Sequence, residues 1–459
     1  MTTTMTGLES SAMFLWQDVQ TPRKETGRNC LLDVLLILSV LLATGCKRAS
    51  AAGRAVESVS LSNGIHVVSI YFPVSTNVSI FTFVPMGLAS DGPGQAQWSH
   101  LVEHLVIRST VPADSAQANA ETLPDHMRLD FYGHVGNWQE GLSHHHRWLE
   151  GSPFTEASLA AEKPRVIAEC DFTVRNLATH KFAMAAWSQG FRHGAKHVAL
   201  KGDVNQAALA DVQHFRDARL AVSNRVTVCI VGGLETKAVF AEVKKHFGGL
   251  RLDGNLPPGS KLVSTNLDLT WDLDARHLLV TWPIPDFRQE RHAALMVAAQ
   301  ALNLQLGSDA DLKRQTGMVF AGADLMTPEG TFFFISASLR PGSDTGAVRQ
   351  AMLSQVERLA ADAAGVTLSA MIGRQLAANL AEVPNPQMLK AQTPVGMSPA
   401  MLEGNLGLQL GMHEHRYAGY KSRLAKQLLE VSPGMVQKAV REILSAEKAT
   451  ICTLRPVEP

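Results

Sequence analysis

The sequence has few cysteines, no net charge and no long apolar run. Its 459 residues include five cysteines, 42 basic residues and 42 acidic residues, so the formal net charge is zero. The cysteines are scattered without Cys-x-x-Cys spacing, which argues against a disulfide framework and against a thiolate zinc site. Because there is no basic excess to neutralise phosphates, the composition does not point to nucleic acid as a partner.

The N-terminal segment has the pattern of a secretion signal. Basic residues precede the apolar run Leu31–Ala43, which is too short to favour a membrane-spanning helix. Residues 42–46 read Leu-Ala-Thr-Gly-Cys and resemble a bacterial lipoprotein box, and Lys47 gives no sign of retention in the inner membrane. We expect a signal segment at 1–46, with Cys46 lipidated and the mature chain anchored to the outer membrane, facing the periplasm. An ordinary cleaved signal or a short anchor helix is the alternative.

Beyond this segment, strands and helices occur in two successive runs. A chain of 459 residues exceeds one ordinary core. The Pro- and Gly-rich stretch 251–267 is the clearest linker, and the order of elements begins again after it. The predicted fold class is α+β, with two tandem homologous domains at 55–250 and 268–459. The expected elements are a hairpin around Asn63-Gly64 within Val56–Phe72, strands at 78–84, 226–231, 277–282, 331–338 and 449–454, and helices ending near Phe247 and at 291–304, 344–362, 366–382 and 432–445.

One short stretch concentrates the residue types that bind zinc. Between Trp98 and Val106, apolar residues recur at helical spacing, which predicts a helix with one buried face. His100, Glu103 and His104 fall on the opposite face, in the order His-x-x-Glu-His. Two histidines four residues apart can bind one zinc ion, and the carboxylate between them can take a proton from water. About 0.06 such strings are expected by chance at this composition, so a solvated helix face is the plain alternative.

A zinc site of this kind needs a third protein ligand. Glu162 and Glu169 are seven positions apart, and two helical turns put both carboxylates on nearly the same face of a helix. Pro164 lies between them and is expected to kink this helix or to start a new one.

Together these features resemble the pitrilysin family of zinc peptidases, which includes insulin-degrading enzyme and mitochondrial processing peptidase. The family pattern is His-x-x-Glu-His, followed by a later helix with a glutamate pair whose second member binds zinc. The resemblance covers most of the mature chain and implies two α/β sandwich-type domains of the LuxS and mitochondrial processing peptidase type. It also implies Zn²⁺ as the cofactor, with His100, His104 and Glu169 as its ligands. Glu103 would be the general base, and Glu162 would be a second carboxylate that steadies the site.

The resemblance further implies how a peptide is held. Asn119 lies in an Asn-Ala-Glu-Thr stretch, similar to a family strand whose asparagine helps to hold the substrate backbone. The second half of the family keeps an arginine and a tyrosine that grip substrate, and Lys313 and Phe320 stand at those places here. Lysine lacks the bidentate fork of arginine, and phenylalanine cannot donate a hydrogen bond. We therefore expect a sister subunit to supply the arginine and the tyrosine in a heterodimer.

Other features have plainer interpretations. The spacing from His104 to Glu169 is shorter than is usual in the family, so the wall beside the motif is expected to be thinner. The run His144–His146 is expected to be a surface cluster rather than a second metal site. Cys170 is expected to be a small buried side chain rather than a ligand, and Glu162 has a plain solvated glutamate as its alternative.

The sequence thus predicts a zinc-dependent endopeptidase that hydrolyses peptides or unfolded proteins in the bacterial cell envelope. The membrane would be reached through the lipid on Cys46. The alternative is a non-catalytic peptidase-like scaffold or docking subunit of an envelope complex, favoured by the thinner wall and the altered pair Lys313 and Phe320. A zinc-storage protein fits less well, because the ligand set leaves one coordination position open.

Overall fold

A computed structural model describes most of the chain after the N-terminal segment. The described residues are 56–112, 115, 117–123, 125–176, 201–220, 226–252, 266–271, 275–284, 290–327, 330–361, 371–377 and 399–457. The predicted signal segment 1–46 with Cys46, the linker residues 253–265 and most of the predicted helix 366–382 lie outside them. Two β-sheets with flanking helices form the described part of the chain, which confirms the α+β fold class.

The first sheet has a parallel pair of strands at one side and an antiparallel set at the other. Its strands are β1 (Val56–Ser60), β2 (His66–Tyr71), β3 (Asn77–Val84), β4 (Ala118–Thr122), β5 (Met127–His134) and β6 (Thr227–Gly232). They are ordered β1-β2-β6-β3-β5-β4, with β2 parallel to β6 and with β3 antiparallel to both β6 and β5. Strand β6 is buried along its whole length, as its continuous apolar run predicts. The hairpin prediction is also confirmed, since β1 and β2 are neighbours joined through Gly64 at φ 90°.

Helices cover one face of this sheet. They are α1 (Trp98–Arg108), α2 (Trp138–Glu150), α3 (Glu156–Asn176), α4 (Lys201–Gln206), α5 (Leu209–Leu220) and α6 (Thr236–Phe247). Apolar side chains of α1, α2, α3 and α6 join those of β3 and β5 in one buried core. The turn residue Asn63 ties α6 to the sheet, because its side-chain amide donates to Phe247 O at 2.8 Å and to Leu250 O at 3.2 Å.

The second sheet repeats the pattern with five strands. They are β7 (Leu267–Trp271), β8 (His277–Ile284), β9 (Thr316–Thr327), β10 (Gly330–Leu339) and β11 (Thr450–Pro456), ordered β7-β11-β8-β10-β9. The helices of this half are α7 (Glu290–Ser308), α8 (Ala310–Gln315), α9 (Thr345–Ala361), α10 (Pro399–Arg416), α11 (Tyr420–Glu430) and α12 (Pro433–Ile443). Within the described ranges, none of the helices combines the length and apolar character needed to cross a bilayer.

Helix α10 leaves its own half and packs on the first sheet. Leu408 and Leu410 share a buried cluster with Phe81 and Phe83 of β3. At the end of the helix, Arg416 Nε donates to Asp125 Oδ2 at 2.8 Å, with the Arg416 side chain 12% exposed and that of Asp125 buried. The first sheet is therefore covered on both faces. Residues 57–459 form one compact unit, and the domain limits 55–250 and 268–459 stay predictions.

Candidate metal centre

The His-x-x-Glu-His stretch lies on a helix, as its apolar spacing predicts. Helix α1 buries its apolar stripe in the core of the first half. On its other face, the side chains of His100 and His104 are 15% and 10% exposed, and Glu103 is 7% exposed. These three residues each place one ligand-type atom within 4.8 Å of the others. The alternative of a solvated helix face is therefore wrong.

The start of α1 is fixed by a buried carboxylate from the preceding turn. Asp91 Oδ1 accepts from the backbone N–H of Ser99 at 2.9 Å, and Asp91 Oδ2 accepts from that of Gln97 at 3.0 Å. These are backbone donors that a helix N-terminus leaves without intrahelical partners, so the carboxylate acts as a cap. Burial raises the pKa of Asp91 to about 7, against the hydrogen bonds from Ser99 and Gln97.

The carboxylate of Glu169 lies between the two imidazoles. Glu169 Oε2 is 3.3 Å from His100 Nε2 and 3.4 Å from His104 Nε2. Charge-assisted hydrogen bonds between such groups are usually about 2.7–2.9 Å long. A tetrahedral ion with ligands at about 2.0–2.1 Å separates its donor atoms by about 3.3–3.4 Å. The two distances from Glu169 Oε2 therefore match the separation of ligands on one zinc ion better than that of direct hydrogen bonds.

The far nitrogen of each imidazole has an acceptor beside it. His104 Nδ1 is 2.9 Å from Glu162 Oε2, and His100 Nδ1 is 3.1 Å from Gln97 Oε1. Glu162 is buried, and its other oxygen accepts from Arg165 Nη1 at 2.7 Å. An acceptor at Nδ1 holds the ring proton there and leaves the Nε2 lone pair for a metal. The groups beside the two Nδ1 atoms, Gln97 and Glu162, are therefore also those expected around histidine ligands of zinc.

The site accumulates negative charge around the two imidazoles. Burial alone would lower the pKa of His100, but its contacts with Cys170 and Glu169 raise that pKa to about 10. Burial also disfavours the charged form of His104, yet the Glu162 and Glu169 carboxylates raise its pKa to about 8. The pKa of Glu169 itself is held far below its usual range by the two histidines, despite partial burial. The surrounding groups therefore favour positive charge at this place, either as protonated imidazole or as a bound cation.

Glu103 is held from the edge of the first sheet. Its Oε2 accepts from Thr122 Oγ1 of β4 at 2.6 Å. Burial raises the pKa of Glu103 above its usual range, although the charges of His100 and His104 oppose the rise. A buried carboxylate with a raised pKa, fixed by one hydrogen bond, has the properties of a general base.

The helix that carries the two glutamates differs from one of the expectations. A single helix, α3, runs through Pro164, so no new helix begins at the proline. Glu162 is 3% exposed and contacts His104, so the solvated-glutamate alternative is wrong. Cys170 is buried in the core as expected, with its Sγ 4.0 Å from His100 Nδ1.

The predicted substrate contacts lie at the edges of the two sheets. Asn119 is exposed on the edge strand β4 and pairs in register with Asp130. Strand alternation puts its side chain on the face opposite that of Thr122. Lys313 is exposed on α8, and Phe320 lies on the edge strand β9 with its ring edge-on to Phe334 at 5.6 Å between centroids. Their proposed roles stay predictions.

The expectation that His144–His146 form a surface cluster is wrong for its central member. His145 is fully buried, its Nδ1 lies 2.7 Å from Thr82 Oγ1, and burial lowers its pKa to about 3. The three histidines belong to α2, whose helical geometry turns successive side chains in different directions. His145 is therefore a core residue of the first half.

Sequence reasoning did not identify three supports of the site: Asp91, Gln97 and Thr122. Asp91 begins an Asp-Gly-Pro-Gly stretch, whose composition indicates a turn and not a helix cap. Gln97 precedes His100 by one helical turn, and Thr122 ends the stretch that begins with Asn119. Spacing could have indicated Gln97, because residues three apart on a helix are neighbours.

Comparisons with known proteins find similarity to zinc peptidases. Residues 207–368 match a family model described as the peptidase M16 inactive domain. An uncharacterized zinc protease of Mycobacterium bovis is 24% identical over 321 residues, which are 63% of this chain and 72% of that protein. A protease from Helicobacter pylori has the same fold, with a TM-score of 0.67 and 18% identity over 88% of this chain and all of that one.

The periplasmic protease PqqL from Escherichia coli is similar in the same way. Its first half gives a TM-score of 0.63 at 13% identity, with 87% of this chain and 92% of that one covered. The full PqqL chain gives 0.64 at 13% identity, but only 49% of it is covered. The family model matches residues 207–368, the curated relative is named a zinc protease, and the solved structures show that the fold is that of M16, or pitrilysin-like, peptidases.

Proposed function

We propose that this protein is a zinc-dependent endopeptidase that cleaves peptides or unfolded proteins. The observation that carries the proposal is the spacing of 3.3 and 3.4 Å between Glu169 Oε2 and the Nε2 atoms of His100 and His104. These three residues would hold Zn²⁺, which would supply Lewis-acid chemistry and lower the pKa of water to about 7. The side chain of Glu169 is 56% exposed, so the site is open to solvent and to a substrate.

The residues of this chain have separate parts in the proposed hydrolysis. Glu103 takes a proton from the attacking water and returns it to the leaving amine. Thr122 fixes one oxygen of Glu103, and Glu162 fixes the ring of His104. Glu162 therefore supports the reaction through His104 and does not need to touch the substrate.

The proposed substrate is an extended peptide. Strand β4 is the edge of the first sheet and carries Thr122 beside the motif helix. An edge strand offers unpaired backbone groups to which a peptide can add as a further strand. Asn119, an exposed residue of the same strand, would hold such a peptide by its amide.

We propose a sister subunit as the partner. This chain matches 92% of the first half of PqqL and 49% of the full PqqL chain, so PqqL contains a further region beyond the matched fold. Lys313 and Phe320 lack the hydrogen bonds that the resemblance implies for substrate grip. A second, related chain would supply them. Co-purification tests this, and a fully active lone monomer would contradict it.

The proposed location is the bacterial envelope. The similar protein PqqL is named a periplasmic protease. Residues 1–46 have the pattern of a lipoprotein signal, so Cys46 would carry the lipid and anchor the protein to the outer membrane. Labelling with a radioactive fatty acid tests this, because Cys46→Ser should abolish the label.

The test of the activity is Glu103→Gln. We expect parent and variant to retain equal zinc after dialysis, and peptide cleavage to fall by about 10²–10⁴-fold in the variant. Glu150→Gln is the matched control, since Glu150 is an exposed carboxylate on α2 whose loss should change neither quantity. A parent without zinc, or a variant with full activity, would sink the proposal.

A non-catalytic scaffold is the second candidate. The observation that favours it is the family model that matches residues 207–368, which is described as the inactive domain. A scaffold predicts no cleavage by the parent, alone or with a sister subunit. It also predicts that Glu103→Gln leaves assembly with envelope partners unchanged. The peptidase proposal instead predicts peptide cleavage by the parent and loss of this cleavage in Glu103→Gln.

A further inference from the structure

Gln97, just before the motif helix, has a backbone conformation that its side chain does not favour. Its φ is 66°, and among the residues that the structure describes it is the only non-glycine residue with positive φ. L-residues disfavour this left-handed region, and glycine occupies it freely. The side chain of Gln97 is buried, so exposure to solvent does not explain why this position carries a polar residue.

The strained position is maintained by Asp91. The two oxygens of this carboxylate accept from the backbone N–H groups of Gln97 and Ser99. Both hydrogen bonds involve only the backbone at positions 97 and 99, so glycine at position 97 would preserve them. The left-handed backbone conformation at position 97 therefore does not explain why the residue is glutamine and not glycine.

The side chain has a contact that glycine could not make. Gln97 Oε1 lies 3.1 Å from His100 Nδ1, on the side of the ring away from Glu169. Glu162 has the same relation to His104. We propose that Gln97 is a positioning residue that fixes the tautomer and orientation of His100 for zinc, an inference that rests on the proposed function.

The chemistry requires a particular orientation of the amide. If Oε1 accepts from Nδ1–H, the lone pair of Nε2 points towards Glu169 and is available to a metal. If the amide were reversed, its NH₂ group would donate to Nδ1 and the ring proton would occupy Nε2. Glutamate at position 97 can only accept, and the thioether of methionine is at most a weak acceptor. These substitutions therefore distinguish an acceptor from a filler of space.

The experiment compares zinc affinity in Q97M, Q97G and Q97E by competition with a chromophoric chelator. We expect Q97M and Q97G to bind zinc about 10–100-fold more weakly than the parent, because outer hydrogen-bond partners have effects of this size. Q97E should bind as tightly as the parent or more tightly. The visible absorption of the Co²⁺-loaded proteins should change in Q97M and be restored in Q97E.

Thermal unfolding of the zinc-free proteins separates positioning from folding. Q97G relieves the backbone strain and should melt at or above the parent temperature, although it binds zinc weakly. Gln139→Met, on an exposed position of α2, is the control and should leave zinc affinity unchanged. Parent-like zinc affinity in Q97M and Q97G would overturn this inference alone. A parent that binds no zinc would overturn the proposed function together with it.

Discussion

The two sheets follow the same strand order, but the helix at the corresponding place has different chemistry. Apart from β1, the order β2-β6-β3-β5-β4 of the first sheet matches the order β7-β11-β8-β10-β9 of the second. In each sheet one pair of neighbouring strands is parallel, β2 with β6 and β7 with β11. Helix α1 lies between β3 and β4 in sequence, and α7 occupies the same place between β8 and β9. Among the described residues, the second half repeats the strand order of the first but not its candidate metal site.

The histidines of these two helices make the difference clear. His292 of α7 is fully buried with its Nε2 3.3 Å from Tyr420 Oη, and burial lowers its pKa to about 4. His100 and His104 of α1 face carboxylates, and their pKa values are raised to about 10 and 8. Carboxylates delivered by α3, and not the helix position itself, distinguish a candidate metal site from a packed core.

The strongest test of this comparison changes one histidine in each half. His104→Ala should weaken zinc binding about a thousandfold, because it removes one of the three proposed protein ligands. His292→Ala should leave zinc binding unchanged and lower the free energy of unfolding by about 1–3 kcal/mol, as expected for a truncated core residue. Zinc retained after dialysis and urea unfolding are the measurements. Loss of zinc in the His292 variant would break the comparison.

A second test concerns the ion pair that joins the halves. Burial alone would raise the pKa of Asp125, but Arg416 and His126 hold it well below its usual range. Asp125→Asn should lower the free energy of unfolding by about 3 kcal/mol at pH 7, because it leaves the largely buried Arg416 without its charged partner.

The pH dependence of this effect has a definite sign. A lowered folded-state pKa stabilises the protein above the unfolded value of about 3.9, and this stabilisation is lost as the pH falls below it. The difference between parent and Asp125→Asn in urea unfolding should therefore be constant from pH 7 to 5 and shrink below pH 4. A difference that grows on acidification would contradict the assigned ion pair.

A third test asks how closely α10 of the second half packs on the first sheet. A Cβ at Gly407 would lie 2.4 Å from Val231 Cγ1 and 3.1 Å from Phe81 Cε2, and both side chains are buried. Gly407→Ala should therefore destabilise the protein by about 2 kcal/mol through overpacking. The control is Gly307→Ala on α7, where no neighbouring atom lies within 4 Å and a gain of up to about 1 kcal/mol is expected. Equal unfolding midpoints in urea would show that α10 can move away from the sheet.

Local patterns predicted elements such as β6 and α1, but not how distant elements pack together. Strand β6 is recognisable because it is buried on both faces and therefore has a continuous apolar run. Helix α1 is recognisable because it buries one face and therefore has an apolar stripe at helical spacing. Helix α10 was not predicted, since its glycines match strands almost two hundred residues away in sequence, such as Val231. Tertiary packing of this kind leaves little periodicity in the helix itself.

The candidate site shows the same limit. Its ligand types and their spacing were visible in the sequence, but the supports were not, because Asp91 and Thr122 reach the motif helix from a turn and from a strand. Helix α3 also continues through Pro164, which was expected to kink the helix or to start a new one. Both Pro164 and Ala160, whose carbonyl loses its helical donor there, are exposed, so water can replace the missing hydrogen bond.

The smallest of the expected effects tests whether α3 supports the site beyond the proposed ligand Glu169. Glu162→Gln keeps an acceptor near His104 Nδ1 but removes the charge that strengthens the hydrogen bond, so zinc affinity should fall about tenfold. Arg165→Ala removes the other partner of the same carboxylate from a half-exposed position and should change zinc affinity by less than about threefold. Chelator competition on both variants measures the difference. If Arg165→Ala loses as much zinc affinity as Glu162→Gln, the Glu162 carboxylate acts only together with its ion pair to Arg165. The difference between α1 and α7 would then depend on residues beyond those that touch the two imidazoles.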